Sequence, residues 1–322
     1  MTLGRRIAAA GLVSVLGLTG CAAAPRAPEL WHDGRLFVAT GNTTGVYYQL
    51  GGGYADLVSK YLPGYEARAE PTGASGDNVV RLASGDMDIG LCNADTAADA
   101  VTGQGVYAGK PQPIRALARL YRNTMQVVVR NDADIHKVAD MRDKRVSTST
   151  ANSGTDVMAG RLLAAAGLDP DKDIRRLRLS LPDTVAAMKA DKIDALFFTG
   201  GLPTPGISDL LSSAPTKFSV LPTADLIGAL TKRYGAVYAT APIPKAVYQT
   251  PQDVGTIVVF SLLLVSVSMP ADLAYQLTEL LFAHQAELAK VHPEGGRFGR
   301  ADAPKTDPVP LHPGALRYHQ TG

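Results

Sequence analysis

The sequence is poor in cysteine, in aromatic residues and in excess charge of either sign. Of its 322 residues only Cys21 and Cys92 are cysteines, and aromatic residues make up 6%. Lys and Arg total 32 and Asp and Glu total 30, which gives a formal net charge of +2. Because binding to a phosphate backbone needs a concentrated positive face, this balance argues against a nucleic-acid partner. The six histidines are scattered without metal-ligand spacing, so we expect no metal and no cofactor.

Familiar nucleotide-binding and catalytic patterns are also missing. No lysine follows Gly45, as a Walker loop requires, and Gly41, Gly45 and Gly51 do not have dinucleotide-fingerprint spacing. The serines of the glycine-rich loops have no histidine beside them in the sequence, and no Gly-x-Ser-x-Gly elbow occurs. We therefore expect that the protein is not an enzyme.

The first 21 residues have the composition of an export signal. Arg5 and Arg6 precede the apolar segment Ile7–Gly20, which is short for a membrane-spanning helix. The sequence Leu-Thr-Gly-Cys ending at Cys21 resembles a bacterial lipobox, although an ordinary signal with a chance cysteine is an alternative. We predict a signal peptide over residues 1–21, lipidation of Cys21 and a tether over residues 22–34, with the protein outside the cytoplasm on a lipid anchor. Cys92 then has no disulfide partner, and its apolar neighbours predict burial.

Two stretches of the chain repeat one order of strands and helices. Strands and helices are predicted from apolar spacing in the first stretch at Arg35–Gly41, Tyr47–Tyr61, Tyr65–Pro71, Asn78–Ser84 and Asp88–Leu91. The second stretch repeats the order at Arg145–Ser149, Val157–Ala166, Arg176–Leu181, Thr184–Ala190 and Ile193–Phe197. Such alternation predicts parallel sheets in two lobes, with a ligand cleft at the carboxyl ends of the strands.

Two further apolar segments can connect these lobes. Met125–Arg130 is one, and the uncharged run Val254–Met269 contains the other. We interpret this run as a buried strand crossing between the lobes, with a membrane helix as the alternative. The fold class is therefore α/β, with a central cleft and two connecting hinge strands. We place residues 35–122 and 268–322 in the first lobe and residues 123–267 in the second. An amphipathic helix is predicted over the leucines from 273 to 288, before a Pro/Gly-rich tail.

Three loops rich in small and hydroxyl residues precede predicted helices. They contain Thr43 and Thr44, the segment Thr72–Gly76, and the segment Ser153–Thr155. Backbone N–H groups at helix starts favour a negative group, although helix capping explains each loop taken singly. Repetition in both lobes favours a small anion as the ligand.

Several longer segments carry a family resemblance. These are "TGASGDNVVRLASGDMDIGLCNADTAADA" (residues 72–100), "ANSGTDVMAGRLLAAAGL" (151–168), "IDALFFTGGLP" (193–203) and "PLHPGALRYHQTG" (310–322). In this order they resemble the TAXI-type solute receptors of TRAP transporters. The resemblance implies a type II periplasmic-binding-protein fold. It also implies that the protein captures small carboxylates, such as glutamate-like or 2-oxoglutarate-like acids, and delivers them to a membrane-embedded TRAP permease.

The resemblance also implies a set of ligand-binding residues. Residues at the matching positions are Thr43, Thr44, Tyr47, Asn78, Asp95, Ser153 and Thr155. Our expected set also contains Ser75, Asn93 and Gly200. The first loop reads Gly-Asn-Thr-Thr-Gly where the family has Gly-Thr-Gly-Gly-Thr, which leaves the ligand's identity open. Arg81, Arg119 and Arg122 are candidate counter-charges for an anion, and the sequence does not select among them.

Two other functions fit the same fold. One is a ligand sensor that acts on a receptor kinase, because sensing and transport both use ligand-driven closure. The other is a hydrolase on a two-lobe scaffold, which the missing nucleophile and base disfavour.

Overall fold

A computed structural model describes Met1 and residues 30–321 of the chain. Cys21 and the predicted signal peptide lie outside the described residues, as does the tether up to residue 29. The last residues of the predicted tether are bound to the body of the protein. Trp31 Nε1 donates to Asp88 Oδ1 at 3.2 Å, and His32 Nδ1 lies 2.6 Å from the same oxygen.

Strands and helices alternate along most of the described chain. The strands are β1 (Arg35–Ala39), β2 (Glu66–Glu70), β3 (Ile89–Asn93), β4 (Ile114–Arg130), β5 (Arg145–Ser147), β6 (Arg175–Leu177), β7 (Ala195–Gly200), β8 (Phe218–Leu221), β9 (Tyr238–Ile243) and β10 (Val254–Ser266). The helices are α1 (Val46–Tyr61), α2 (Ser75–Ser84), α3 (Ala94–Thr102), α4 (Gly154–Ala165), α5 (Leu181–Lys189), α6 (Pro205–Ser213), α7 (Ile227–Tyr234), α8 (Lys245–Tyr248), α9 (Ala271–Ala283), α10 (Gln285–Val291) and α11 (Pro313–Thr321).

All strands belong to one sheet that passes through two lobes. Along its main path the order is β2-β1-β3-β10-β4-β7-β5-β6, while β8 pairs with β4 and β9 with β10. The first lobe contains β1–β3, α1–α3 and α9–α11, and the second contains β5–β9 and α4–α8. The long strands β4 and β10 run through both lobes and pair with each other antiparallel. The predicted two-lobe α/β fold with two connecting strands is therefore confirmed.

Each lobe has a hydrophobic core on both faces of the sheet. In the first lobe, α1 and α9 cover one face around Val58 and Leu277, and α2 covers the other around Leu82. In the second lobe, α4 packs on one face around Leu162 and α5 and α6 pack on the other around Ile207. The parallel strands are covered by apolar helix faces on both sides of the sheet. Both faces of inner strands such as β3 are therefore buried, which explains the continuous hydrophobic runs in their sequences.

The apolar run Val254–Met269 forms strand β10 as far as Ser266, as interpreted from its Val, Ser and Thr content. Ser261 lies opposite Asn93 of β3, and the pairing with β3 continues to Val265. The strand therefore enters the first lobe's sheet before the predicted boundary at residue 267. Within residues 30–321 no helix has the length and apolarity needed to cross a membrane.

Three predicted elements differ from the structure for local reasons. The predicted strand Arg176–Leu181 ends at Leu177, because Ser180 accepts from the backbone N–H of Asp183 as the N-cap of α5. The helix predicted over residues 273–288 is interrupted at His284, which separates α9 from α10. The Pro/Gly-rich tail ends in helix α11, whose Tyr318 is buried against α9 and contacts Tyr275 edge-on.

Asn78 joins four parts of the first lobe. Its side chain is fully buried on α2, and Nδ2 donates to the carbonyls of Thr40 at 2.8 Å and Leu91 at 2.7 Å. Its Oδ1 accepts from Thr72 Oγ1 at 2.6 Å. The amide therefore holds the ends of β1 and β3 and the loop before α2 in one arrangement.

Replacement of Asn78 by alanine should lower the free energy of unfolding by about 2–4 kcal/mol, because buried carbonyl and hydroxyl groups lose their partner. Urea unfolding measures this loss. Val80→Ala, on an exposed position of the same helix, is the control and should change stability little. Equal unfolding midpoints for the two variants would contradict the role given to Asn78.

Candidate functional site

A small cavity lies between the lobes at the carboxyl ends of the strands. Its volume is about 30 Å³, and loops after β1, β3, β5 and β7 border it. It is lined by Gly41, Asn42, Gly45, Val46, Tyr47, Ala74, Ser75, Asn93, Ser149, Ser153, Gly154, Thr155, Phe198, Thr199 and Gly200. This is the position at which open α/β sheets bind ligands.

Three helices begin at this cavity. They are α1 after Gly45, α2 after Ala74 and α4 after Ser153. Ser153 caps α4, since its Oγ accepts from the backbone N–H of Asp156 at 3.1 Å. Within residues 30–321, α1 and α2 have no side-chain cap. The first N–H groups of these two helices therefore remain available to an anion, and capping does not explain their loops.

The predicted ligand-binding residues divide into two groups. Those that line the cavity are Tyr47, Ser75, Asn93, Ser153, Thr155 and Gly200. Those that do not are Thr43, Thr44, Asn78 and Asp95. Thr43 is exposed at the rim, and the Thr44 carbonyl accepts from the backbone N–H of Gly206 in the second lobe at 3.2 Å. Asn78 supports the loops from beneath, as described above.

Neutral hydrogen-bonding groups form the first-lobe wall. Tyr47 Oη donates to Asn93 Oδ1 at 3.1 Å and accepts from Asn123 Nδ2 at 2.7 Å and Ser261 Oγ at 3.0 Å. Asn123 lies on β4 and Ser261 on β10, so this cluster touches both connecting strands. Burial raises the pKa of the Tyr47 hydroxyl far above its usual range, and this group remains a neutral donor.

The second-lobe wall meets this cluster through threonine hydroxyls. Thr155 Oγ1 lies 2.8 Å from Thr199 Oγ1 and accepts from the backbone N–H of Thr199 at 2.9 Å. Asn93 Nδ2 reaches across and donates to Thr199 Oγ1 at 3.3 Å. The hydroxyls that face the cavity are thereby held in position by both lobes.

Sequence reasoning left Ser149, Asn42 and Phe198 out of the expected set. Ser149 is 2% exposed and has a positive φ of 72°, and its Oγ has no hydrogen-bond partner among the described residues. Asn42 Oδ1 accepts from the backbone N–H of Leu181 in the opposite lobe at 2.9 Å. A sequence signal could have found Asn42 and Ser149. Each is a polar residue at the end of a predicted strand and before a helix-start loop.

Ala74 has a backbone conformation that normally belongs to glycine. Its φ is 69° and its ψ is −151°, directly before the uncapped start of α2. Such a residue costs on the order of 1–3 kcal/mol, and the surrounding structure must impose it. Two positive-φ residues, Ala74 and Ser149, therefore border the cavity from opposite lobes.

The cavity contains no countercharge from the described chain. No Lys, Arg, His, Asp or Glu of residues 30–321 lines it. Arg81 pairs with Asp77 at 2.9 Å on the surface of α2, whereas Arg119 and Arg122 lie on the other face of the connecting strands. None of the three candidate arginines reaches the cavity lining.

Asp95 takes part in a bridge between the lobes. Its carboxylate accepts from Tyr238 Oη at 2.6 Å, and Arg161 Nη1 lies 3.6 Å away. Arg161 Nη2 also lies 2.5 Å from Asp99 on the same helix as Asp95. Burial raises the pKa of Asp99, while the Arg161 charge opposes the rise. We call Asp95, Asp99, Arg161 and Tyr238 the interlobe bridge.

The lobes are in close contact around the cavity. A Cβ added to Gly154 would lie 2.5 Å from Asn93 Nδ2 and 2.6 Å from Ser75 Oγ, both in the first lobe. A Cβ on Gly76 would lie 2.2 Å from the Asn152 carbonyl oxygen of the second lobe. The structure is therefore a closed arrangement in which glycine permits the helix starts to meet.

We expect Gly154→Ala to prevent this closure without unfolding either lobe, because the three atoms nearest to the added methyl group all belong to the opposite lobe. Small-angle scattering of the solute-free protein should give a larger radius of gyration for the variant. Gly160→Ala, on the same helix with its nearest neighbour at 3.8 Å, is the matched control. Identical scattering from the two variants would argue against closure through Gly154.

A second test concerns the interlobe bridge. Arg161→Met leaves the buried carboxylate of Asp95 without its cation, a change that costs about 2–5 kcal/mol at comparable sites. The closed arrangement should be disfavoured, and the radius of gyration should increase as for Gly154→Ala. Arg142→Met, which removes a surface pair with Asp173, controls for loss of charge alone. A compact Arg161→Met protein would show that the bridge does not hold the lobes.

The chain and its fold are similar to known proteins at two levels. The model of the NMT1-like family matches residues 38–321. Among solved structures, the alkanesulfonate-binding protein SsuA of Xanthomonas axonopodis pv. citri bound to MOPS has a TM-score of 0.50 at 16% identity, covering 89% of this chain and 83% of that chain. The binding-protein component of an ABC phosphonate transporter from Pseudomonas aeruginosa has a TM-score of 0.53 at 14% identity, covering 81% and 79%.

A Xanthomonas citri protein bound to chloride ion is similar to the same degree. Its TM-score is 0.51 at 14% identity, with 89% of this chain and 95% of that chain covered. At such identities the likeness concerns the fold, which is that of the two-lobe periplasmic binding proteins.

Proposed function

This chain belongs to the NMT1-like family, and on that premise we propose that it is the solute-binding component of an import system, which captures a small organic anion between its lobes. The observation that carries the proposal is the pair of uncapped helix starts, α1 and α2, which face the cavity together with α4. Aligned N–H groups and helix dipoles favour negative charge at such a point.

The neutral lining supports a solute with a single negative charge. A second charge would be desolvated in the cavity without a cation from the described lining residues, and burial of an uncompensated charge is costly. Hydroxyl and amide donors from Ser149, Thr155 and Asn93 can instead share one oxyanion. We therefore expect a monoanion, or one anionic end of a larger solute, at the three helix starts.

Capture of such a solute requires the lobes to separate. A cavity of about 30 Å³ has room for one or two water molecules and not for an amino acid or a keto acid. We infer that the solute enters an open cleft, and that its contacts with both lobes favour closure about the connecting strands β4 and β10. A membrane transporter then receives the solute from the closed or reopening protein.

For the solute itself we propose a small carboxylate, because the sequence resembles receptors of that class. Delivery to a TRAP permease and a lipid anchor at Cys21 belong to the same proposal. The solved structures of similar fold include an alkanesulfonate-binding protein and the binding-protein component of a phosphonate transporter, so these oxyanions are the comparison ligands.

The test is a thermal-shift screen on protein that has been unfolded and refolded to remove bound solute. The panel contains glutamate, 2-oxoglutarate, fumarate, ethanesulfonate, methylphosphonate and sulfate, with neutral sugars as controls. At a hundredfold excess over its dissociation constant a solute adds about 2.7 kcal/mol, which raises the melting temperature by several degrees. Gly154→Ala should lose the shift, and Gly160→Ala should keep it.

A shift confined to carboxylates would support the proposed solute class, whereas a shift with ethanesulfonate or methylphosphonate alone would replace it by another oxyanion. If only sugars bind, or if Gly154→Ala responds like the wild type, the proposed anion site is wrong.

A further inference from the structure

A second concave site lies on the opposite face of the connecting strands. Side chains alternate along a strand, so that Asn123 faces Tyr47 in the cavity wall and its neighbours Arg122 and Thr124 face away. On β10, Ser261 likewise faces Tyr47 while Phe260 faces away. Arg122 lies directly opposite Phe260 in the strand pairing. We call the depression of about 420 Å³ on this side the hinge groove.

The hinge groove is built from both lobes. The first lobe and its end of the connecting strands contribute Arg119, Arg122, Phe260, Arg297 and Phe298. Leu202 and the segment around Pro242 and Pro244 contribute from the second lobe. The groove therefore lies across the axis about which the lobes move, and its shape depends on the hinge angle.

The charge of the groove differs from that of the cleft. Three guanidinium groups line it with two carboxylates, those of Glu294 and Asp302. Glu294 is buried and already accepts from the backbone N–H of Leu202 at 2.9 Å and from Arg297 at 3.0 Å. Asp302 is shared, because it lies 3.2 Å from Arg119 and 2.6 Å from Lys305. Positive charge is consequently in excess beside Arg119 and Arg122.

Both arginines contact the same aromatic ring. The guanidinium carbon of Arg119 lies 4.0 Å from the Phe260 ring centre, and that of Arg122 lies 5.5 Å from it. The side chain of Arg119 is only 17% exposed, and burial together with the nearby Arg122 charge lowers its pKa, against the effect of Asp302. Among the described residues Arg122 has no carboxylate within ion-pair distance. Two like charges beside one ring repel each other. An oxyanion that contacts both guanidinium groups would reduce this repulsion.

The remaining walls are apolar and conformationally restricted. Leu202, Pro242, Pro244 and Phe298 line the groove together with the arginines. A depression of this volume, lined by both charged and apolar side chains, has the properties of a small-molecule site. The alternative is a basic surface that only faces solvent. Such a surface would not explain why the guanidinium group of Arg119 is desolvated against the Phe260 ring.

We propose that the hinge groove is a second ligand site, which binds a small organic anion with a carboxylate, sulfonate or phosphonate group between Arg119 and Arg122 and an apolar body against Leu202 and Pro242. Because both lobes line the groove, its occupancy depends on the hinge angle. By linkage, a ligand in the groove changes the affinity of the cleft for its solute by the same factor as the solute changes the affinity of the groove.

The test uses calorimetric titration with benzoate and phenylphosphonate as probes and inorganic phosphate as the probe without an apolar body. Titrations are made at low ionic strength, since exposed charges are screened within about 10 Å at 0.1 M salt. We expect both aromatic probes to bind to the wild type, and to bind to Gly154→Ala with a different affinity because its lobes are held further apart. Probe binding to Gly154→Ala at any affinity separates the groove from the proposed cleft function, because the cleft of this variant does not close around a solute.

Arg122→Glu should weaken binding of the aromatic probes by about tenfold or more, as expected when a charge contact is reversed. Arg122→Gln should weaken it less and guards against a folding defect in the reversed variant. Arg233→Glu, an exposed arginine that contacts the Tyr234 ring of α7, is the matched control and should bind as the wild type. Equal affinity of Arg122→Glu and the wild type would overturn the proposal, and equal affinity of Gly154→Ala and the wild type would reject the link between groove occupancy and hinge angle. Equal affinity for phosphate and phenylphosphonate would show that the apolar walls of the groove do not contribute to binding.

Discussion

The antiparallel pairing of β4 with β10 holds the two lobes in one continuous sheet, and the other features of the molecule depend on it. The two strands are the only backbone elements of the described chain that run through both lobes. Their alternating side chains give one face to the cleft, through Asn123 and Ser261, and the other to the groove, through Arg122 and Phe260. Any change in the angle between the lobes therefore alters both faces together.

The two faces differ in how they can compensate negative charge. The cleft uses neutral donors: helix starts, threonine hydroxyls and the amide–hydroxyl cluster of Tyr47, Asn93, Asn123 and Ser261. Such donors are oriented in advance and select by geometry and by the size of the charge. The groove uses guanidinium groups, which attract an oxyanion over a longer distance but discriminate less between oxyanions. The charged residues that join the lobes at Arg161 lie beside the cleft and outside its lining.

Much of the fold could be predicted because it depends on local patterns. Apolar spacing in Tyr47–Tyr61 predicted α1, and the absence of charge in Val254–Met269 with its β-branched residues predicted a buried strand. Errors arose where a single residue decides the boundary, as with Ser180 at the start of α5 and His284 between α9 and α10.

The candidate site was less predictable. Hydroxyl residues in the loops were recognised, but their composition alone could not distinguish a residue in the cavity lining, such as Ser75, from a support beneath it, such as Asn78.

The sequence by itself determined the α/β class, the two repeated lobes and the three helix-start loops, because periodicity, glycine and hydroxyl residues act over a few neighbouring positions. Only the tertiary structure decided which helix starts lack caps, that Asp95 bridges to Arg161 and that Arg119 and Arg122 lie behind the hinge. The bridge and the position of the two arginines depend on partners that are distant in the chain, such as Asp95 and Tyr238, which β10 and its neighbours bring together. Such pairings leave no periodic signal in a single sequence, since their geometry is set by the packing of whole strands and helices.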